Sequence, residues 1–269
     1  MSGFLETMAQ RSRERVEAAA RRLAVDDLRA SSLNAPAPRH LGSFGETFDL
    51  IAEVKPRSPS EGVFPERLPA AAAQAYQRGG AAMISVLTEP SEFGGSLDML
   101  RTVSEMVSVP VMAKDFIVDP YQVYEAREAG ADGILVIARI LDDDAGAGIL
   151  DTAAELGMFA LLEAFDGVDL ARLPAFAAGR PNLLVGVNCR DLETLDIVPE
   201  RHRELAGHLP TGAVSVAESA IGGPGDAERV ASLGYGAALV GSSLMRSGDP
   251  TGLVRSMVDA GRRTVAVVP

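Results

Sequence analysis

Apolar residues fall along this chain in short dense runs, at 50–54, 82–87, 109–113, 133–137, 159–162, 183–187, 214–217 and 237–240. Their centres lie about 23 to 33 residues apart, room for one strand, one helix and two loops. Four of the runs follow the same phrase, an amphipathic stretch closed by glycine and small residues: YQRGGAAMISVL, EAGADGILVI, ELGMFALLEA and SLGYGAALVG. Glycine there accepts the left-handed conformation that ends a helix, and the run after it has the density of a strand buried on both faces. Between runs lie helical patterns, for example Ser96 as an N-cap, Asp98 in the first turn and Leu97, Leu100 and Val103 on one face. Eight βα units without a linker predict an α/β fold, a closed (β/α)8 TIM barrel. An open doubly wound sheet would carry a glycine fingerprint after its first strand, whereas here the first run ends in Glu53 and Lys55 with no G-x-G-x-x-G. Residues 1–47 contain the amphipathic pattern ERVEAAARRLAV and predict a helical extension packed across one end of the barrel. Residues 48–269 form the barrel, and the whole is expected to be one domain.

Composition narrows the partners. The chain has 269 residues, 47% of them hydrophobic, which suits one large core. Asp and Glu number 37 against 25 Lys and Arg, a net charge of -12, the wrong sign for a nucleic-acid backbone or an acidic membrane surface. No apolar run approaches the roughly 18 residues of a membrane span, and the N-terminal residues lack the apolar stretch of a signal peptide. The single cysteine, Cys189, cannot form an intrachain disulfide and is read as a packing residue, so a reducing cytoplasm is the expected location. The expected partner is a small molecule, with the chain a monomer or weak homo-oligomer.

In such a barrel the active site lies at the C-terminal ends of the strands. Polar residues gather where the apolar runs stop: Glu53 and Lys55 after the first, Lys114 after the third, Glu163 after the fifth, Asn188 and Arg190 after the sixth, Glu218 and Ser219 after the seventh, Gly241, Ser242 and Ser243 after the eighth. Any one strand must end in something polar, but the accumulation points to a site. Three carboxylates and two lysines in one bowl shift one another's proton affinities, a way to obtain a general acid and a general base together. The segments VAESAIGGPGD and VGSSLMR follow the last two runs, where this fold offers backbone N–H groups to a phosphate, with Ser219, Gly241 and Ser242 as contacts. His40, His202 and His208 lie away from the run ends, and no HxH, HExxH or carboxylate cluster has metal-ligand spacing, so no metal is expected.

At these residues the sequence resembles the indole-3-glycerol phosphate synthase family. The matching motifs are IAEVKPRSPSEG, SVLTEPSEFGGS, MAKDFIVDPYQVYEAREAGADGILVI, VGVNCRDLETLDI, VAESAI and LVGSSLMR, and the likeness runs from the N-terminal helix to about residue 257. The resemblance implies that Glu53, Lys55, Lys114, Glu163, Asn188, Arg190, Glu218 and Ser219 occupy functional positions, that Phe93 and Phe116 line the pocket for an aromatic ring, and that Ser58 helps close the mouth. It further implies the substrate 1-(2-carboxyphenylamino)-1-deoxyribulose 5-phosphate, Lys114 as the acid of ring closure, Glu163 and Lys55 as base and acid of the dehydration, and no cofactor. Spacing does not decide which lysine serves which step.

Three residues depart from the family pattern: Glu61 stands in place of lysine, Phe165 in place of histidine or another polar residue, and Ala220, beside the phosphate contacts, in place of glycine. A Cβ at Ala220 disfavours conformations in which glycine presents its N–H to a phosphate. Two alternatives therefore stand beside the synthase reaction, a paralogue acting on a modified substrate and a non-catalytic phosphometabolite-binding barrel. Isomerisation of phosphoribosyl anthranilate would need a Cys and Asp pair that Cys189 does not match.

Overall fold

The structure, a computed structural model, describes residues 3–65, 68–192 and 194–265. The expected bounds at 1 and 269 lie outside the described residues. In chain order the strands are β1 (Asp49–Val54), β2 (Arg57–Ser58), β3 (Gly62–Val63), β4 (Met83–Leu87), β5 (Val111–Lys114), β6 (Gly133–Ile137), β7 (Phe159–Ala164), β8 (Leu183–Asn188), β9 (Val214–Glu218) and β10 (Ala237–Val240). Parallel pairing in the order β1-β10-β9-β8-β7-β6-β5-β4 closes a barrel, while β2 and β3 form a separate antiparallel hairpin. The barrel strands fall on the expected runs, shifted by a residue or two at their ends.

Both faces of these strands are buried, which is why each reads as an unbroken apolar run. Leu50, Ala52, Ile84 and Val86 face the surrounding helices, whereas Ile51, Met83, Met112, Leu161 and Val216 fill the barrel interior. The helices begin and end on the residues the pattern marks: the Ser96 hydroxyl accepts from Met99 N at 3.0 Å, and Gly80, Gly130, Gly157 and Gly234 all have positive φ.

The N-terminal segment differs from expectation. It covers both ends of the barrel instead of one. Helix α1 (Phe4–Ala20) lies across the C-terminal mouth, where Arg11 pairs with Glu92 at 2.7 Å and Arg15 with Asp115 at 2.6 Å. Helix α2 (Val25–Asn34) runs down the outside, with Ser31 donating to Glu128 at 2.8 Å on the helix Pro120–Glu128. The chain then passes under the barrel, where Arg39 binds Asp132 and Phe44 joins the interior core. Amphipathicity marks which face of a helix is buried, not which surface covers it.

Candidate active site

The twofold alternation of a strand puts the functional side chains on the interior face, one step above the apolar filling. Glu53 continues the row of Ile51, Lys114 that of Met112, Glu163 that of Phe159 and Leu161, and Glu218 that of Val216. All six expected catalytic residues and all eight expected binding residues line one cavity of about 700 Å³ at the mouth, within the range of small-molecule sites.

At its floor the Lys114 ammonium stands 3.5 Å from Glu163 Oε2 and 3.6 Å from Glu218 Oε2, and Lys55 Nζ is 3.0 Å from Glu53 Oε1. Burial opposes charge on Lys114, but the carboxylates of Glu163, Glu218 and Glu53 outweigh it and hold the ammonium above its ordinary range. Burial, reinforced by the neighbouring Glu163 carboxylate, pushes Glu218 well above the usual carboxylate range. The floor thus holds the Lys114 ammonium against two buried carboxyl groups, Glu163 and Glu218.

Two glycines make room for these carboxylates. A Cβ on Gly186 would lie 2.1 Å from Glu218 Oε1, and one on Gly241 would lie 2.3 Å from Glu53 Oε1. Gly186 did not stand out in the sequence, because the need for it arises from the neighbouring strand. Asn188 is oriented by its own oxygen: Oδ1 accepts from Arg190 N at 2.9 Å and from the Ser219 hydroxyl at 2.8 Å, which assigns the amide NH2 to the other side.

One wall is aromatic. Phe116 meets Phe93 at 6.2 Å and Phe4 of α1 at 6.1 Å between ring centres. Phe4 is a lining residue that sequence reasoning missed. Phe93 is set by Glu89, whose carboxylate accepts from the backbone N–H groups of Ser91, Glu92 and Phe93 at 2.7–3.0 Å. Opposite lie the loops after β9 and β10, with Ser219 at φ 64, Ala220 at φ 56, Gly241, and Ser242 opening the short helix Ser242–Arg246. Arg190 donates to Ser60 Oγ at 2.8 Å and to Leu195 O at 3.0 Å, fastening the hairpin β2–β3 over this side, and buried Ser58 lies beneath.

Residues 5–257 match the family model described as indole-3-glycerol phosphate synthase. The chain belongs to the indole-3-glycerol phosphate synthase family. Curated relatives with that name include a Nocardioides protein, 47% identical over 238 residues, spanning 86% of this chain and 88% of the relative. Another, from Mycobacterium leprae, is 43% identical over 252 residues, spanning 92% and 91%. Solved structures add a likeness of fold alone. The 3-hexulose-6-phosphate synthase of Salmonella typhimurium has a TM-score of 0.63 at 16% identity, spanning 80% of this chain and 99% of its own. Tryptophan synthase subunit alpha of Legionella pneumophila has 0.56 at 15%, spanning 80% and 93%.

Against that family the three departures separate. Phe165 is buried outside the cavity lining, with the Arg139 guanidinium 5.0 Å from its ring centre. Ala220 carries a side chain in the left-handed region that favours glycine. Glu61, at the tip of the hairpin, reaches into the cavity. Cys189 and His202 are core residues. Burial pushes the thiol up to about 11 and the imidazole down to about 4.

Proposed function

We propose that this chain carries out the reaction for which its family is named, converting 1-(2-carboxyphenylamino)-1-deoxyribulose 5-phosphate to indole-3-glycerol phosphate in tryptophan biosynthesis. The observation that carries the reading is the Lys114 ammonium between Glu163 and Glu218 at the floor of a cavity with an aromatic wall. The aromatic ring stacks by Phe93 and Phe116, and the phosphate goes to Ser219, Gly241 and Ser242. Lys114, kept charged by its carboxylates, donates a proton to the ketone oxygen as the ring carbon attacks it. The carboxylate then leaves as CO2 and its electron pair restores the aromatic ring. In the dehydration Lys55 protonates the departing hydroxyl and Glu163 removes the proton that completes the indole. Glu53 holds Lys55, Glu218 stands with Glu163 against Lys114, and Asn188 and Arg190 hold polar groups of the substrate. The same reading takes residues 1–47 as part of one catalytic domain, since Phe4 joins the cavity wall.

The test is to supply the purified protein with the carboxyphenylamino substrate and follow indole fluorescence. Absence of product sinks the reading. A second reading, a paralogue with a modified substrate, is favoured by Glu61, an anion placed where an anionic substrate must bind. Turnover of substrates with and without the aryl carboxyl group separates the two.

A further inference from the structure

The hairpin β2–β3 lowers one carboxylate into the cavity. Glu61 Oε1 accepts from the Ser242 hydroxyl at 2.7 Å and lies 3.5 Å from Arg190 Nη2, while Oε2 lies 2.8 Å from Arg246 Nη2. A hydroxyl and two guanidinium groups converging on one pair of oxygens are the donors that a phosphate monoester dianion takes. The hairpin that delivers Glu61 is slight. Its ladder pairs only Arg57 with Val63 and Ser58 with Gly62, and Gly62 and Val63 are exposed. Two-stranded ribbons this short do not hold themselves in place. The hairpin's base is anchored by Arg57 to the backbone of Phe93 and Ser91 and by buried Phe64, and its tip by contacts of Glu61 with Ser242 and Arg246 and of Ser60 with Arg190. Charge makes the arrangement consequential. Among the described lining residues six carboxylates face four cations. With Glu61 inside, the cavity offers a dianion repulsion and occupied donors.

We infer that Glu61 is a tethered anion that fills the phosphate end of the cavity in the absence of substrate, so that phosphate enters by displacing it and lifting the hairpin. Glu61 is then a determinant of phosphate affinity, and the open hairpin is the binding-competent state. The inference rests on the functional reading above in one respect, the location of phosphate beside Ser242. It goes beyond that reading in stating that this chain carries its own competitor for the site.

Inorganic phosphate is the probe, because it reports on the anion end without requiring turnover. Calorimetric titration of the unaltered protein and of Glu61→Gln, at one ionic strength, should give a dissociation constant about tenfold tighter for the variant, since the population held closed no longer has to be opened. Hydrogen exchange on the unaltered protein should show faster exchange across residues 57–63 when phosphate is added. Equal or weaker phosphate binding by Glu61→Gln overturns the inference and leaves Glu61 as a brace for the hairpin. If the variant fails to fold, the exchange measurement decides, and unchanged or greater protection of the hairpin at saturating phosphate overturns it. Phosphate binding by neither protein removes the phosphate end itself, and this inference with it. Binding by both with equal constants removes the inference alone.

Discussion

At the N-terminal end of the barrel the buried carboxylate of Asp132 accepts hydrogen bonds from Arg39 Nε at 2.7 Å, Arg39 N at 2.8 Å and Val111 N at 2.7 Å. At the C-terminal mouth Glu163 and Glu218 are as deeply buried, yet none of their carboxylate oxygens has a hydrogen-bond partner among the described residues, and Lys114 stands off at 3.5 and 3.6 Å. Buried carboxylates are ordinarily satisfied, and leaving one short of partners costs stability. The lower carboxylate is saturated because its work is to join the N-terminal segment to β5 and β6. The upper pair is left short of partners because the substrate has to supply them.

The two ends therefore respond oppositely to substitution. The largest effect is expected from Asp132→Ala, which takes the carboxylate from the Arg39 guanidinium and leaves two backbone donors, Arg39 N and Val111 N, unpaired. Urea unfolding should show a loss of about 3–5 kcal/mol, and a loss below about 1 kcal/mol would break the contrast at its lower end. At the upper end, Lys114→Met should reduce indole formation at least about a hundredfold, equivalent to about 3 kcal/mol at the transition state. Lys114 ends β5 at the cavity and not in the packed core, so the fold should survive. A stability loss as large as that of Asp132→Ala, with turnover retained, would invert the assignment.

A third expectation concerns a structural group close to the upper pair. His202 Nε2 contacts the Glu218 carbonyl at 3.2 Å, and burial pushes its pKa down to about 4 against an ordinary 6.5. The unfolded ring therefore binds a proton over a range in which the folded ring does not. The stability it confers is complete above pH 6.5 and is lost progressively as pH falls towards 4, to the extent of about 3 kcal/mol. Unfolding free energies at pH 7 and pH 4.5 should fall more steeply for the unaltered protein than for His202→Gln, and parallel slopes would assign the acid sensitivity elsewhere.

The smallest effect belongs to Ala220. With φ at 56 its Cβ is strained, and glycine relieves about 1 kcal/mol, about fivefold in affinity where the strain bears on the ligand. Ala220→Gly should tighten inhibition by inorganic phosphate by up to that factor. An unchanged inhibition constant with a raised melting temperature would locate the strain in the fold alone.

The barrel was legible because burial on both faces turns each strand into a dense apolar run, and runs at βα spacing leave few topologies. The charged floor was legible for the same reason: Glu163 and Lys114 stand where apolar runs stop. What escaped the sequence arises between distant segments. The place of Phe4 depends on where α1 docks. Gly186 is needed because β8 and β9 pair in a register that sets Asn188 beside Glu218, with the Glu218 carboxylate leaning over residue 186. The hairpin β2–β3, two residues per strand, is too short to show any alternation. The glycine expected at position 220 marks a backbone of special conformation, but that Ala220 holds it with a side chain is read only from the dihedral angle.

The seat of α1 has a consequence for biosynthesis. Arg15 is bound by Asp115, 100 residues later in the chain, so the helix leaves the ribosome long before its binding partner exists. At about 5–20 residues per second it waits roughly 5 to 20 seconds. Throughout that time Leu5, Met8 and Ala9, all buried in the finished protein, have no barrel to cover them. The arginines and glutamates interspersed along the same helix give the waiting segment a hydrated face, and two of them, Arg11 and Arg15, turn from water to Glu92 and Asp115 once the mouth has formed.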